Sequence, residues 1–515
     1  MYLKDKLASS GLGKEPLLFV LLFVVAAMVY LFRLGYSDIW IDESLSKALV
    51  RHSLPDMTML VAHDSHPPLY FIALKAFTAV AGNNNVTIRL FSVLGALAML
   101  VLSYVMGRRV LGRGGALCLS LLLLALPMPA LYAHVARMYT WAAFLVLGVL
   151  LCADRFARER RIRDLVWLGL FSLMAAYTHY FSLIAAFWID AALLAYVVAK
   201  KERGWRGVAV TGLAVFVAYL PWLWVLARQA ETIRNDFWIP PLSWSGLLTC
   251  YVQFFGGLYR LYGLSWVMAS VFYGLTLASV VVALVSRNRN DLRTLSFAMV
   301  GFHATIATAA VLSLWFRPVL YPRYLMTIAP LLMVPPAIVL TRLHPPWPKA
   351  VLLAGSLACG LFIVFSESSF SFGPNQQALR CLARTHPEVR KILHLNEVTA
   401  GPFYEYGRGD PWQQYYLNNA GTSWYSNMEA FDGMTAIRSL EEMAGDGEVF
   451  CLAEFAAFAL NGQNLSLVTA QCDELGVEEI TDDKMNTGVA LKLHILKARL
   501  PGGARAPVSA PEREP

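Results

Sequence analysis

Long apolar runs alternate with short polar segments from about residue 16 to residue 366. Each run is close to the ~20 residues that an α-helix needs to cross the hydrocarbon core of a bilayer. A transmembrane β-barrel would instead show ~10-residue segments of alternating polarity. The pattern therefore predicts eleven membrane-spanning helices, at about residues 16–34, 88–107, 115–133, 138–156, 164–179, 181–198, 207–227, 263–285, 295–315, 323–341 and 349–366.

The stretch 66–82 is apolar but short, and it contains Lys75. If it lies at the membrane interface, one set of loops holds 20 lysines and arginines in 58 residues, whereas the opposite loops before residue 367 are much poorer. If 66–82 crossed the membrane, this difference in lysine and arginine content between the two sides would be lost. The positive-inside rule then places the N-terminus in the cytoplasm and the first loop outside. The basic loops are 1–15, 108–114, 154–164, 199–206, 286–294 and 342–349.

Composition agrees with a multi-pass protein of the cytoplasmic (inner) membrane. Hydrophobic residues make up 57% of the chain and charged residues 15%, against about 25% charged residues in soluble proteins. This excludes a soluble enzyme built around one core. The net charge of +8 follows from the cytoplasmic loops, so it does not indicate a nucleic-acid partner. The seven cysteines show no metal-binding spacing.

The chain divides into a transmembrane module, 1–366, a polar segment, 367–500, and a disordered tail, 501–515, rich in Pro, Gly and Ala. The middle segment follows the last span and is predicted to be a small α/β domain on the periplasmic or extracytoplasmic side. Cys451 could form a disulfide there with Cys472, Cys381 could pair with either, or all three could be free thiols. The predicted strands are Lys391–Leu395, Val449–Ala453 and Ala490–Ile495, and the predicted helices are Asn375–Thr385 and Ala436–Met443.

Two adjacent carboxylates, Asp42 and Glu43, follow the first span directly. Acidic residues favour a helix N-terminus, and the next residues favour an amphipathic interfacial helix, so a structural role explains part of this signal. Alternatively, one carboxylate faces a cavity at the membrane surface, where it deprotonates an acceptor hydroxyl or helps to hold a cation.

The segment His63–Tyr70 contains His66 before two prolines that suit the first turn of a helix. A helix start with an interfacial tyrosine accounts for the pattern, while a substrate contact by His66 is the functional interpretation. A metal site formed by His63 and His66 has no other support. Asp64 and His66 are the next candidates for a catalytic base after the first carboxylate pair.

Arg137 and Tyr139 stand between two apolar spans, with His134 just before them. An arginine at a span end can simply snorkel to the interface. This one breaks the charge bias of its side, which favours binding of an anionic group. His179 occupies the next external corner among aromatic residues typical of an interfacial belt.

The segment 315–325 carries Arg317, Tyr321, Arg323 and Tyr324 between two prolines, again on the face where positive charge is disfavoured. Guanidinium groups bind phosphates through paired, charge-assisted hydrogen bonds. We interpret this segment as a phosphate site, with snorkelling as the alternative.

All five motifs fall on the external side of a topology that was fixed by loop charge alone. Carboxylates, histidines and arginines around one outward-facing cavity predict an enzyme that acts on a lipid-linked phosphate. A transporter or flippase would place its ionisable residues near mid-membrane. A polymerase or ligase of lipid-linked saccharides would carry its large external loop between later spans.

With these motifs the chain resembles the GT-C superfamily of membrane glycosyltransferases. The acidic pair after the first span, the HisProPro motif and the ArgTyrLeu motif are similar to the family 39-like branch, which contains protein O-mannosyltransferases and lipid A aminoarabinose transferases. The resemblance covers residues 1–366. It implies an all-α GT-C-type fold of about 11 transmembrane helices, with interfacial helices in the first external loop.

The resemblance also implies a polyprenyl-phosphate-linked sugar donor, a lipid, glycan or protein acceptor, and inversion at the anomeric carbon. Asp42 is then the general base with Glu43 beside it, and Arg317 and Arg323 lie near the donor phosphate. Many relatives have an acidic residue where this chain has Val135. No cofactor is implied with certainty, and dependence on a divalent metal and the identity of its ligands stay open.

Overall fold

The computed structural model describes residues 14–499 apart from 202–203, 236–238, 257–261, 368–372, 396, 418–427, 456–461 and 482–489. The predicted disordered tail, 501–515, lies outside these residues. The chain divides into two compact units. The first comprises Met1–Ser37 and Ser46–Ser369, and the second comprises Asp38–Leu45 and Phe370–Pro515.

Helices make up almost all of the first unit. Only α2 belongs to both units, because the division falls between Leu45 and Ser46. Two 3₁₀ segments, Gln253–Phe255 and Pro322–Ile328, interrupt the series. The helices are α1 (Lys14–Leu31), α2 (Ile41–Leu49), α3 (Leu54–His63), α4 (Leu69–Ala81), α5 (Asn85–Ala125), α6 (Pro127–Ala133), α7 (Tyr139–Glu159), α8 (Ile162–Thr178), α9 (Tyr180–Ala199), α10 (Trp205–Asn235), α11 (Trp244–Val252), α12 (Tyr262–Val285), α13 (Arg289–Trp315), α14 (Ala329–Arg342) and α15 (Pro346–Glu367).

Within the described ranges, nine helical segments are long and apolar enough to cross a membrane. One of them, α5, has 41 residues and contains the predicted span 88–107 and residues 115–125 of the predicted span 115–133, which continues into α6. Between these two parts of α5, the backbone of Gly112 leaves helical geometry (φ 78°, ψ −169°). The predicted span 164–179 corresponds to α8, which has 17 residues. Ten of the eleven predicted spans therefore fall on one helix, on part of one, or on a helix with its 3₁₀ start, whereas the predicted span 115–133 is divided between the end of α5 and α6. The all-α polytopic membrane fold is confirmed.

The first predicted loop contains three short helices rather than a further span. They are α2, α3 and α4, with 9, 10 and 13 residues. At 1.5 Å per residue, the longest of them extends about 20 Å, short of the ~30 Å hydrocarbon core. The apolar stretch 66–82 is consequently too short to cross, as its length and Lys75 predict.

Buried ion pairs join the predicted cytoplasmic ends of α7 and α13. Asp154, fully buried, accepts hydrogen bonds from Arg158 Nε at 2.6 Å, Arg293 Nη2 at 3.3 Å and Thr294 Oγ1 at 2.6 Å. Removing one partner of a buried ion pair typically costs about 3–5 kcal/mol. Some of the arginines that define the charge bias therefore also hold the helices together.

A six-stranded sheet forms the centre of the second unit, in the order β3-β2-β1-β4-β6-β5. The first four strands in this order are parallel, whereas β6 is antiparallel to both β4 and β5. Helices α16 and α17 cover one face, and a 3₁₀ turn (Leu440–Glu442) and α18 cover the other. The elements are α16 (Asn375–Thr385), β1 (Lys391–His394), α17 (Glu397–Tyr406), β2 (Gln413–Leu417), β3 (Thr435–Ile437), β4 (Val449–Phe455), α18 (Gly462–Thr469), β5 (Cys472–Thr481) and β6 (Ala490–Ala498).

The predicted small α/β domain is confirmed, but one of its predicted helices is wrong. Residues 436–443 form the end of β3 and then the 3₁₀ turn. Residues Thr435–Ile437 pair with Tyr415–Leu417 of β2, so pairing at the sheet edge takes the start of the predicted helix into a strand and leaves only the short 3₁₀ turn after it.

All seven cysteines are free thiols. Cys451 packs in the core on one face of the sheet and Cys472 in the core on the other. Strand β6 also separates the strands that carry them. Of the alternatives that the sequence left open, disulfides or free thiols, the structure has free thiols.

Candidate functional site

The segment between α3 and α4 holds an acid–imidazole pair. The amide of Asp64 donates to the carbonyls of Leu60 and Val61 and ends α3. The Asp64 Oδ2 atom then lies 3.1 Å from His66 Nδ1, and both side chains are at least nine-tenths buried. Two prolines follow at once and restrict the chain's entry into α4. His66 is therefore fixed both by its backbone and by a buried carboxylate.

The corner between α6 and α7 supplies Arg137. The Ser46 hydroxyl donates to the carbonyl of Ala136 at 3.0 Å, and the Ser92 hydroxyl donates to the carbonyl of Arg137 at 3.2 Å. Side chains from α2 and α5 therefore hold the backbone of this corner in place. The neighbouring His134 places Nε2 2.9 Å from the carbonyl of Tyr30.

One nitrogen of the Arg137 guanidinium group lies over the face of the His66 ring. Its Nη2 atom lies 3.3 Å from Nδ1 and 3.5 Å from Nε2 of His66. A nitrogen this close to both ring nitrogens must lie over the face of the imidazole, because an in-plane position would clash with the carbon between them. The Arg137 Cζ atom is also 5.7 Å from the centre of the Phe71 ring, a cation–π distance. Only 2% of Arg137 is exposed, so the charge is held almost entirely inside the protein.

The charge of Arg137 is countered by Asp64. Burial raises the pKa of the Asp64 carboxyl, but the nearby His66 and Arg137 lower it by more, and the pKa falls to about 2. The group is therefore a carboxylate at neutral pH.

His179 lies between α8 and α9 and presents a defined tautomer. Its Nδ1 accepts the backbone N–H of Phe181 at 3.1 Å and caps α9. An accepting nitrogen carries no proton, so the neutral ring carries its proton on Nε2. Burial, together with the charges of His66, Arg137 and Arg323, holds the pKa of His179 well below its ordinary value. His179 is thus a buried, neutral hydrogen-bond donor.

Aromatic rings join these residues into one cluster. The ring of Tyr324, in the segment Pro322–Ile328, is centred 5.4 Å from His179, 6.5 Å from His66 and 6.4 Å from Tyr139. The first residue of α7, Tyr139, is itself 5.7 Å from His179. Three motifs far apart in sequence therefore meet at the start of the segment that contains Tyr324.

Arg323 brings a second guanidinium group to this cluster. Its Cζ atom lies 5.5 Å from the ring centres of both Tyr321 and Tyr324, and its charge is among those acting on His179. Arg317 lies six residues earlier, half-buried, before a stretch that the Ser313 hydroxyl fixes by accepting two backbone N–H groups. The place of Arg317 in the site stays a prediction.

The acidic pair Asp42 and Glu43 forms the first turn of α2 and groups with the second unit. Glu43 is fully buried, and its Oε2 accepts the backbone N–H of Trp40 at 3.1 Å, as in a helix cap. Asp42 is half-buried. The structural interpretation of Glu43 is therefore correct in part, and catalytic roles for both residues stay predictions.

Two residues that the sequence did not single out as site members support the cluster. Asp64 was considered only as a substitute base. Gln229, on α10, donates from Nε2 to the carbonyls of Val61 and Ala62 at 3.2 and 3.1 Å and accepts the Tyr180 hydroxyl. The sequence around it, Ala-Arg-Gln-Ala-Glu at the polar end of α10, gave no signal for this contact. Gln229 holds the end of α3, immediately before Asp64.

In the part of the chain that the structure describes, no three or more His, Cys, Asp or Glu side chains are grouped to hold a metal ion. The positively charged and aromatic composition of the cluster instead suits an anionic ligand.

Comparison with known proteins finds similarity to a family and to a relative that are both described as sugar transferases. Residues 65–224 match the family described as dolichyl-phosphate-mannose-protein mannosyltransferase. A 242-residue stretch is 26% identical to the undecaprenyl phosphate-alpha-4-amino-4-deoxy-L-arabinose arabinosyl transferase of Pseudomonas aeruginosa strain UCBPP-PA14. This match covers 42% of the present chain and 42% of that relative, so it spans less than half of either protein.

Solved structures show the same fold. The crystal structure of ArnT from Cupriavidus metallidurans bound to undecaprenyl phosphate superimposes with a TM-score of 0.59 at 14% identity, covering 96% of this chain and 99% of that one. The Archaeoglobus fulgidus oligosaccharyltransferase complex with zinc and sulfate gives a TM-score of 0.50 at 13% identity, covering 81% of this chain and 62% of that one. The GT-C-type fold, and with it the resemblance to ArnT and protein mannosyltransferases, is confirmed.

Proposed function

We propose that this protein is a membrane glycosyltransferase that moves a sugar from a polyprenyl-phosphate-linked donor to a lipid, glycan or protein acceptor, with inversion at the anomeric carbon. The reaction takes place on the outer side of the cytoplasmic membrane. The loop-charge bias supports this side, because the chain segments that bear the cluster are the ones predicted to be external.

The observation that carries the proposal is the convergence of the external motifs on one buried, positively charged cluster. Arg137 and Arg323 bring two guanidinium groups, and Asp64 brings one carboxylate. Guanidinium groups bind phosphate oxygens through charge-assisted hydrogen bonds, and of these two Arg137 is buried and Arg323 half-buried. The neutral His179 adds a donor whose direction is fixed. We assign donor-phosphate and substrate binding to His66, Arg137, Tyr139, His179, Arg317, Tyr321, Arg323 and Tyr324.

The chemistry needs a base and a stabilised leaving group. Asp42 takes the proton of the acceptor hydroxyl, and the resulting oxygen attacks the anomeric carbon from the face opposite the phosphate. The bond between that carbon and the phosphate oxygen breaks with its electron pair, so that polyprenyl phosphate leaves and the configuration inverts. The arginines stabilise the negative charge that develops on the departing phosphate. The choice of Asp42 rests on the family resemblance and on its position directly after the first span.

Transfer by the purified protein tests the proposal. The full-length protein in lipid nanodiscs is incubated with a synthetic polyprenyl-phosphate sugar and candidate acceptors, and mass spectrometry follows release of polyprenyl phosphate and the glycosylated product. Asp42→Asn keeps the shape of the side chain and removes the base, so turnover should fall about 10²–10⁴-fold. The matched control, Asp56→Asn, changes an exposed aspartate of α3 and should leave turnover unchanged.

The two neighbouring carboxylates can be told apart in the same assay. Glu43→Gln should lower stability as well as turnover, because Glu43 caps α2. Near-wild-type transfer by Asp42→Asn together with an inactive, folded Glu43→Gln would exchange their roles. Movement of the intact donor across the bilayer without bond cleavage would instead identify a flippase and overturn the proposal. Mass spectrometry of lipid and glycan intermediates in cells lacking the protein would then identify the natural sugar and acceptor.

A further inference from the structure

The second unit contains a cavity of about 230 Å³ at the amino end of β2. Its wall is formed by the end of α17, the turn that leads into β2, and the segment just before β3. Three glycines contribute to this wall. The side chains that line it are Tyr404, Arg408, Asp410, Trp412, Gln414 and Asp432.

The amide of Gln414 is fixed in one orientation. Its Nε2 donates to the carbonyl of Phe403 at 3.2 Å, so its Oε1 is the atom that faces His394 Nε2 at 3.3 Å. Burial lowers the pKa of His394 to about 3, and the neutral ring therefore donates from Nε2 and accepts the Thr399 hydroxyl at Nδ1. This buried chain prevents the amide from flipping. Gln414 is 6% exposed and has a second N–H group on the nitrogen beside the cavity wall.

Gly407 leaves space for the Gln414 amide, because it has no side chain. A Cβ atom at Gly407 would lie 2.9 Å from the carbonyl oxygen of Phe403 and 3.0 Å from Gln414 Nε2, so only glycine fits without a shift. The Tyr404 hydroxyl donates to the carbonyl of Asp432 at 2.8 Å and holds the opposite wall. The cavity therefore has fixed walls, whereas its charged side chains, Asp410, Asp432 and Arg408, are exposed at the surface.

The lining combines hydroxyl-binding groups with aromatic rings. Carboxylates accept hydrogen bonds from hydroxyl groups, and a guanidinium and an amide donate to them. The rings of Trp412 and Tyr404 offer apolar surface to the C–H face of a sugar ring. Two carboxylates outnumber one guanidinium, which disfavours phosphates and other anions. At about 230 Å³ the cavity is smaller than the ~300–1,000 Å³ of sites for drug-sized ligands, so one ring fits better than an oligosaccharide.

We infer that this cavity binds a single neutral pyranose unit. Binding at Gln414 and its neighbours gives the second unit a carbohydrate-recognition role that needs no donor and no bond cleavage. The inference therefore goes beyond the proposed transferase activity.

Saturation-transfer NMR tests the inference with the full-length protein in nanodiscs, because maltoside detergents themselves carry glucose rings. The probes are the methyl glycosides of glucose, galactose, mannose and N-acetylglucosamine. At least one should receive saturation from the protein. The double variant Asp410→Asn/Asp432→Asn should weaken its affinity about 10-fold or more, because both hydroxyl acceptors lose their charge. Both positions are exposed, and the hydrogen bond from the Tyr404 hydroxyl to the backbone carbonyl of Asp432 survives the change.

The matched control is Asp473→Asn, an exposed aspartate of the same unit that pairs with Arg499 outside the cavity. It should leave binding unchanged. Absence of saturation transfer to all four glycosides, or equal transfer in the double variant and the wild type, would overturn the inference. Neither result depends on turnover, so failure here is distinct from failure of the transferase proposal.

Discussion

Replacing Asp64 with asparagine removes one negative charge from the buried cluster while keeping the shape of the side chain. The carboxylate lies 3.1 Å from His66 Nδ1 and counters the buried charge of Arg137. Its pKa falls from an ordinary 3.8 to about 2, which corresponds to about 2.5 kcal/mol at ~1.4 kcal/mol per pKa unit. Asp64 is 8% exposed, so little of this is lost to solvent screening. We expect Asp64→Asn to lower the free energy of unfolding by about 2–4 kcal/mol at pH 7.

The pH dependence of this effect has a definite sign. A carboxyl group whose pKa is lowered by folding contributes its stabilisation fully above the unfolded value, and loses it as the pH falls through the folded value. The difference between wild type and Asp64→Asn should therefore be constant from pH 7 to about pH 5, and should shrink between about pH 4 and pH 2. The asparagine variant has no carboxyl group at this position to titrate.

The assay is thermal unfolding of the purified proteins in the same lipid nanodisc across this pH range. Asp56→Asn is the matched control, since Asp56 lies on the same helix but is exposed, and it should cost less than about 1 kcal/mol. The reasoning is refuted if Asp64→Asn is as stable as the wild type at pH 7, or if its deficit is the same at pH 7 and pH 3. Binding of polyprenyl phosphate should not weaken in this variant, because the cluster becomes more positive.

Two further predictions concern Arg137 and the hydrogen-bond donor His179. Arg137→Lys keeps the charge but loses the planar guanidinium that contacts His66 and lies at a cation–π distance from Phe71. The dissociation constant for polyprenyl phosphate, measured by calorimetry, should therefore rise about 10-fold or more; an unchanged constant would remove Arg137 from phosphate binding. His179→Asn supplies an oxygen that can still cap α9 through the N–H of Phe181 but lacks the Nε2 donor. Its melting temperature should stay close to that of the wild type while kcat/KM for the donor falls, and loss of stability with unchanged kcat/KM would leave His179 only a capping role.

The membrane-embedded part of the fold could be predicted from the sequence because the length of an apolar run is a local property. The break in α5 shows this clearly. Arginines and glycines at 108–114 separate two apolar runs, and Gly112 is the residue at which the helix breaks. The predicted helix at 436–443 failed for the opposite reason, since its conformation depends on pairing with β2, about 20 residues away.

The site could be predicted only as a list of unusual residues. Arg137, His179 and Arg323 were visible because each is a polar group that the predicted external ends of apolar spans do not require. Their partners depend on contacts between distant parts of the chain. Gln229 holds the carbonyl of Val61 across 168 residues of sequence, and Arg137 reaches His66 across 71. No local pattern contains that information, and so Asp64 and Gln229 were not predicted to be members of the site.

The second unit is built from two stretches that lie far apart in the sequence. This arrangement affects the order in which the unit can fold. Asp38–Leu45 leaves the ribosome about 325 residues before Phe370, the start of the rest of the unit. At a synthesis rate of ~5–20 residues per second, roughly 15–65 seconds pass between synthesis of the early stretch and synthesis of Phe370. The early stretch is in close contact with the later one. The Ile39 amide donates to the Tyr406 hydroxyl at 3.0 Å. Ile41 packs so closely against Gly401 that a Cβ atom at position 401 would lie 2.6 Å from Ile41 Cδ1. A C-terminal unit expressed alone from residue 370 would therefore lack part of its own interior, and synthesis of all the spans must precede completion of this unit.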